Sequence, residues 1–430
     1  MQPFQELGNA LEKQWLDANY DESVFPRIAA DALLNAKLIE RVDPWEIIRW
    51  VQHTPVLPQQ ADLEARFGNP PLTLYMGSRF YIDVYYWLDG TTEIHQHSFS
   101  GAFQVLLGSS VHSHYRFEIE REINPHFLLG RIELASVKLL NMGDIHPILA
   151  GPNYIHALFH LDRPSATITV RTKGTPMAQP QYSYKKPYVA NDPFFKNEIL
   201  ARKVQTLTLL YAMNHPQADD FVSDIVTNSD FQTTFVVLET AFGFLGGNEM
   251  QRLFNLTANK DRFNALVEKA RAKHGDLVDL LPPVFEEGDR LSSIVRRRAT
   301  ITGEEHRFFL ALLLNVRGRT NVLELVRLRF PDRDPVETCI DWTEELSNTR
   351  VLGGTESNAL GIEGFDPLHL FVFECLLKGL SIEETKAQAA EQFPVGDQNL
   401  ANVEGIINKL EGSLLFKSLF DDITPAREVS

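Results

Sequence analysis

The stretch "DGTTEIHQHSFSGAFQVLLG", Asp89–Gly108, decides how the rest of the chain is read. His95 and His97 stand two residues apart in it, flanked by serine and glycine, with an apolar run following. Residues i and i+2 of a β-strand point to the same side, so both imidazoles face one way. A second stretch, "GDIHPILAGPNYIHALFH" (Gly143–His160), carries His156 and His160 on another predicted strand, with Leu158 between them on the same face. If that face looks into a barrel, His156 meets His95 and His97. Neutral imidazole suits iron, zinc, copper and nickel. Three of them on adjacent strands leave coordination positions open, which marks a catalytic rather than a structural centre.

The surroundings divide into three zones. Residues 1–70 read as short helices broken by prolines, with Asp43 as an N-cap and Pro44 at the first helical position of "DPWEIIRWVQH". Residues 71–187 change to a period of two, in "RFYIDVYYWL", "HYRFEIE", "GRIELASVKLL" and "SATITVRT", with turn residues between them. This predicts an all-β barrel or jelly roll. The zone closes on "TKGTPMAQPQYSYKKPYVANDP", a proline-rich linker or crossing segment. Residues 188–430 are helical in pattern, with Asp-Pro helix openings expected at Asp192, Asp334 and Asp366. The fold class is therefore α+β and multidomain: a jelly-roll barrel between a short helical N-terminal segment and a large all-α C-terminal domain.

The 430 residues exceed one ordinary core, and 44% hydrophobic with 23% charged residues is a globular balance. A net charge of −16 argues against nucleic acid or an anionic membrane as partner. No apolar run reaches the roughly 18 residues that span a bilayer. The N-terminus has neither the basic nor the apolar region of a secretory signal. Cys339 and Cys375 sit in apolar, helix-like runs and read as buried free thiols. These features together lead to an expectation of a cytoplasmic protein. The run "IVRRRAT" (Ile294–Thr300) reads as a solvated helix face, and the glycine-rich "VLGGTESNALGIEGF" (Val351–Phe365) as a flexible loop. The second His-x-His, His112 and His114 in "VHSHYRF", reads as a solvent-facing pair, and His146 as a turn residue.

Between roughly Tyr75 and Lys185 the chain resembles the cupin superfamily. Gly90, His95, His97 and Gly108 match its first signature, with Gly101 where the family places a glutamate. Gly143, the turn at Gly151–Pro152 and His156 match its second, at a slightly longer spacing and with His160 where the family places an asparagine. The missing carboxylate is similar to the cysteine dioxygenase-like cupins, whose iron(II) is held by three histidines. The resemblance implies an iron(II) site at His95, His97 and His156, with zinc, manganese or nickel as alternatives. It implies a mononuclear non-haem iron oxygenase taking a small organic substrate and O2, and it leaves a homodimer through the barrel open. Three neutral donors leave the ion its full positive charge, which favours an anionic substrate such as a thiolate or enolate. The family's Ser, His and Tyr trio beside the iron falls here on Thr167, Thr169 and Arg171, so its His and Tyr are absent. Arg171 is a candidate to hold a substrate carboxylate by bidentate hydrogen bonds, and Arg79 is a second. Tyr154, two residues before His156, either faces the pocket or packs. His160 is a further ligand, an orienting partner of His156 or a core residue. Two other readings stand beside the oxygenase. One is a metal-binding sensor or scaffold whose helical domain docks a protein; the other is a non-redox isomerase or hydrolase.

Overall fold

The structure, a computed structural model, describes the chain except residues 65–67, 89, 92, 176–177, 247–258, 352–357, 394–401 and 421–430, and the side chains of 90–91. Much of the expected glycine-rich loop lies outside the described residues. The chain divides into two compact units. The first is Met1–Tyr184 with Ala190–Phe194, and the second is Lys185–Val189 with Phe195–Ser430.

In the first unit four helices precede the strands: α1 (Gln2–Asp17), α2 (Phe25–Ala36), α3 (Leu38–Arg41) and α4 (Pro44–His53). Asp43 caps α4 by accepting from the backbone N–H of Trp45, with Pro44 in the first turn, as the sequence predicts. The strands are β1 (Pro71–Met76), β2 (Phe80–Trp87), β3 (Gly90–Thr91), β4 (Ile94–His97), β5 (Gly101–Leu107), β6 (Ser110–Asn124), β7 (Phe127–Leu140), β8 (Ile145–Ile148), β9 (Gly151–His160), β10 (Ser165–Thr172), β11 (Ser183–Lys185) and β12 (Val189–Asn191). One sheet runs β1-β2-β10-β5-β8. The other runs β3-β9-β4-β11-β12-β7-β6 and closes on itself through a β9–β6 pairing. This is the jelly roll expected from the period-two zone. The proline-rich segment, read as a linker or crossing segment, contributes two of its strands, β11 and β12, each three residues long. Elements that short leave no periodicity to read.

Alternation along the first sheet separates two environments. Phe80, Ile82, Val84 and Tyr86 of β2 share one core with Ala166, Ile168 and Val170 of β10 and with Phe4, Leu11, Trp15, Phe25 and Leu33 of α1 and α2. The intervening residues, Tyr81, Tyr85 and Trp87 of β2 and Thr167, Thr169 and Arg171 of β10, line a cavity on the other side. The sheet is thus covered by helices outside and faces the candidate site inside.

The second unit is helical. Its helix Glu304–Asn315 is buried continuously from Arg307 to Leu314, the pattern of a central helix surrounded by others. Asp334 and Asp366 cap their helices as expected. Asp192 does not: its carboxylate accepts from Phe194 N and meets the His126 ring at 2.8 Å. The next helix instead starts at Glu198, capped by Asn197. The arginine run also departs from the expectation. Arg297 and Arg298 are 1% and 3% exposed, and their Nε atoms donate to the carbonyls of Ala359 and Arg307. They follow Ile294 at helical spacing onto the buried face, and backbone carbonyls replace water there. Cys339 and Cys375 are buried and unbonded to each other, and burial pushes the Cys339 thiol up to about 12. Among the described residues no helix is long and apolar enough to cross a membrane.

The shared core of the first unit rests heavily on Phe80, which is fully buried with Trp15, Phe25 and Tyr75 at ring distances of 6.3, 5.8 and 5.5 Å. Phe80→Ala is expected to destabilise this unit by about 3–5 kcal/mol. Urea titration followed by tryptophan fluorescence measures it.

Candidate metal centre

Pairing of β4 with β9 sets His95 opposite His156, and the register then shifts so that His97 pairs with Gly151. On its other edge β4 is braced by β11, with Ser183 opposite His95. Gln96, on the reverse face of β4, accepts from the Tyr184 hydroxyl at 2.6 Å and donates to Pro180 O at 2.9 Å. The strand carrying both histidines is therefore clamped on both edges and through its back.

The three imidazoles are 9%, 8% and 4% exposed for His95, His97 and His156. His95 Nδ1 lies 2.6 Å from Glu93 O, so it is the protonated nitrogen and Nε2 keeps its lone pair. The Nε2 atoms of His97 and His156 approach to 2.8 Å. One nitrogen from each of the three rings falls within 4.8 Å of the others. Nitrogens bound side by side to one ion through bonds of about 2.0–2.1 Å lie about 3 Å apart, the spacing that the Nε2 atoms of His97 and His156 already show, and the third ring lies near enough to complete the group. The donor set fits a metal.

Burial holds His97 and His156 well below the ordinary imidazole range, with the neighbouring histidines adding to the effect. His95 is lowered by burial too, partly offset by its bond to Glu93 O. The rings are thus kept neutral, the form in which imidazole binds metal.

They open onto a cavity of about 280 Å³. Its walls include Tyr81, Tyr85, Trp87, Phe99, Phe103 and Phe194. Arg171 is its cationic group: the guanidinium carbon sits 3.5 Å from the centre of the Phe99 ring, and Nε is buried without a hydrogen-bond partner. Behind the wall, Asp83 accepts from Thr73 and Tyr85 hydroxyls, both at 2.7 Å, and burial pushes its carboxyl up.

Gly101 has a structural reason of its own. It lies opposite Arg171 in the β5–β10 pairing, and a Cβ added there would stand 1.9 Å from Val170 O. No side chain fits at the position where a fourth, carboxylate ligand was sought.

The other residues singled out from sequence are distributed as follows. Arg171, Thr167 and Thr169 line the cavity. Arg79 does not; it is exposed, with its guanidinium over the Tyr20 ring at 4.3 Å. His160 is buried away from the three rings, with Nδ1 2.9 Å from Ser165 Oγ and its face stacked on Trp87 at 4.4 Å. Tyr154 is buried beside His156, at 4.8 Å between rings, and its hydroxyl lies 3.5 Å from His112 Nε2. His112 is the correction: far from facing solvent, it is fully buried, and its Nε2 lies 2.9 Å from His156 Nδ1. His114, beside it, is only half-buried. The start of β6 lies inside the barrel while its middle and far portion is largely exposed, so the strand's polar composition hid its buried end. The aromatic wall of β2 was readable from alternation, since the aliphatic residues between those positions pack on the helices.

No protein-family model matches the chain, and no curated protein matches it. Solved structures that resemble it include an uncharacterized conserved protein with a double-stranded β-helix domain from Klebsiella pneumoniae subsp. pneumoniae, at 16% identity over 27% of this chain and 92% of that one, TM-score 0.17. CapF, solved with the inhibitor 3-isopropenyl-tropolone, is 18% identical over 28% of this chain and 36% of its own, TM-score 0.14. At these values neither likeness carries an argument about the site, and the fold rests on the strand pairing described above.

Two outcomes follow from the geometry. Gly101→Ala destabilises the first unit by about 1–3 kcal/mol or more, because backbone must move to admit the methyl group. Gly101→Glu adds no metal affinity; chemical denaturation and metal titration measure the two effects. The second concerns pH. Because the folded-state pKa of His97, His112 and His156 is depressed, the unfolded chain binds more protons in acid. Stability of the metal-free protein is therefore full above a pH of about 6.5 and falls as pH drops below it. Urea midpoints between neutral pH and mild acid record the loss.

Proposed function

We propose that the first unit binds one divalent transition-metal ion through His95, His97 and His156, iron(II) by preference, and acts as a mononuclear non-haem iron oxygenase on a small anionic organic substrate and O2. The observation that supports this reading best is the donor set itself: three neutral, buried imidazoles facing a cavity, with glycine at the position of a carboxylate ligand. A bound iron(II) ion would supply open coordination positions and electron transfer to O2. The chain supplies the rest. Its imidazoles hold the ion with its charge undiminished, which favours direct binding of a thiolate, enolate or similar anion. Arg171, whose Nε lacks a protein partner, would hold a second anionic group of the substrate. The aromatic walls exclude water from the reacting groups.

One observation favours a second reading. Asp62 also lines the cavity. A carboxylate there would serve as a general base in a non-redox isomerisation or hydrolysis supported by zinc, manganese or nickel.

Metal analysis and oxygen uptake separate these readings. Protein loaded anaerobically is expected to hold one iron per chain, and His95→Ala to lose it. With small thiol and enol carboxylates the iron form is expected to consume O2. Arg171→Ala is expected to raise KM about 10- to 100-fold, the effect of removing one charge-assisted hydrogen-bonding group. A chain that binds no metal contradicts both readings. Turnover with zinc and no O2 uptake with iron contradicts the oxygenase.

A further inference from the structure

We infer that His112 is a positioning residue for the metal centre: its Nε2 accepts the Nδ1–H of His156 and so aims His156 Nε2 at the ion. The inference rests on the three-histidine reading above and adds to it a residue outside the ligand set.

It follows from hydrogen bookkeeping. His156 Nε2 lies 2.8 Å from His97 Nε2, so both of these nitrogens converge on one point. A nitrogen that gives its lone pair to a metal carries no proton, so the His156 proton must sit on Nδ1. That atom is buried, and a buried N–H is stabilised by an acceptor. His112 Nε2, 2.9 Å away, is in position to accept. His112 must then hold its own proton on Nδ1, the one tautomer that leaves Nε2 free to accept; that Nδ1, like the one of His97, is buried without a hydrogen-bond partner.

The ligands differ in how they are held. His95 Nδ1 is bonded to a backbone carbonyl, that of Glu93. His97 Nδ1 is buried without a hydrogen-bond partner. Of the three, His156 is the one whose outer nitrogen meets another side chain.

His112 is itself well fixed. It is fully buried on β6, which pairs directly with β9. Its ring meets Phe103 edge-on at 5.5 Å and His146 edge-on at 5.2 Å. The Tyr154 hydroxyl approaches the same Nε2 at 3.5 Å, beyond the range of a strong bond. An acceptor held this firmly restricts the ring rotation of His156, which is how outer partners sharpen a metal site.

The experiment compares metal binding and spectroscopy in the full chain. Cobalt(II) titration of the wild type gives the reference affinity through its visible absorption. His112→Phe, which removes the acceptor, is expected to weaken binding about 10- to 100-fold. His112→Gln, whose side-chain carbonyl can accept the same proton, is expected to recover most of that loss. His114→Ala is expected to bind as the wild type does. A purely structural role would not be rescued by the acceptor, so His112→Gln separates positioning from packing. A measurement on the wild type needs no variant to fold: with zinc(II) bound, nitrogen-resolved NMR is expected to show a ring proton on Nδ1 of His156, protected from exchange. Wild-type cobalt binding with an unchanged affinity in His112→Phe, or a zinc-loaded His156 without that protected proton, overturns the assignment of His112 alone. A wild-type chain that binds neither metal overturns the three-histidine centre and this inference with it.

Discussion

The pairing of β4 with β9 is the constraint on which the rest of the site depends. It sets His95 against His156, and the register shift that follows brings His97 to the same point. Side chains alternate along a strand, so a slip of one residue would turn the histidines to the opposite face. Several features hold this register. β11 flanks β4 on its free edge, and Gln96 is tied through its back to Tyr184 and Pro180. β6 flanks β9 and brings His112 to His156. The helices on the outer sheet complete the support by burying one face of β2 and β10, which leaves their other face to shape the cavity.

A second constraint gives the site its chemical character. Close approach of β5 to β10 at Gly101 leaves no room for a side chain. The three-histidine group that could hold an ion therefore offers only neutral nitrogen donors, and the nearby charged groups, Arg171 and Asp62, line the cavity wall. Neutral donors survive burial better than a carboxylate would, because no isolated charge has to be desolvated. The same burial that depresses the histidine pKa values keeps the rings ready for a cation.

Much of this was legible in the sequence because it follows period-two patterning. His95 with His97, and His156 with His160, could be placed on shared strand faces from spacing, whereas Thr167, Thr169 and Arg171 were reached through the cupin resemblance. What stayed hidden depends on partners distant in the chain. His112 and His114 repeat the His95 and His97 pattern, yet the polar composition of β6 masks that only its first residues enter the barrel. Arg79 looked equivalent to Arg171, but it is stacked on Tyr20 of the N-terminal helical region. Arg297 and Arg298 looked solvated, and they are buried because backbone carbonyls accept from them. Strands as short as β11 and β12 carry too few residues for any pattern, although β11 braces the strand of His95 and His97 directly.

X-ray absorption spectroscopy of the zinc-loaded chain tests the central claim most directly. The account predicts three imidazole nitrogens at about 2.0–2.1 Å, with any remaining positions filled by solvent oxygen. A shell containing a protein carboxylate, or fewer than three imidazoles, would contradict it.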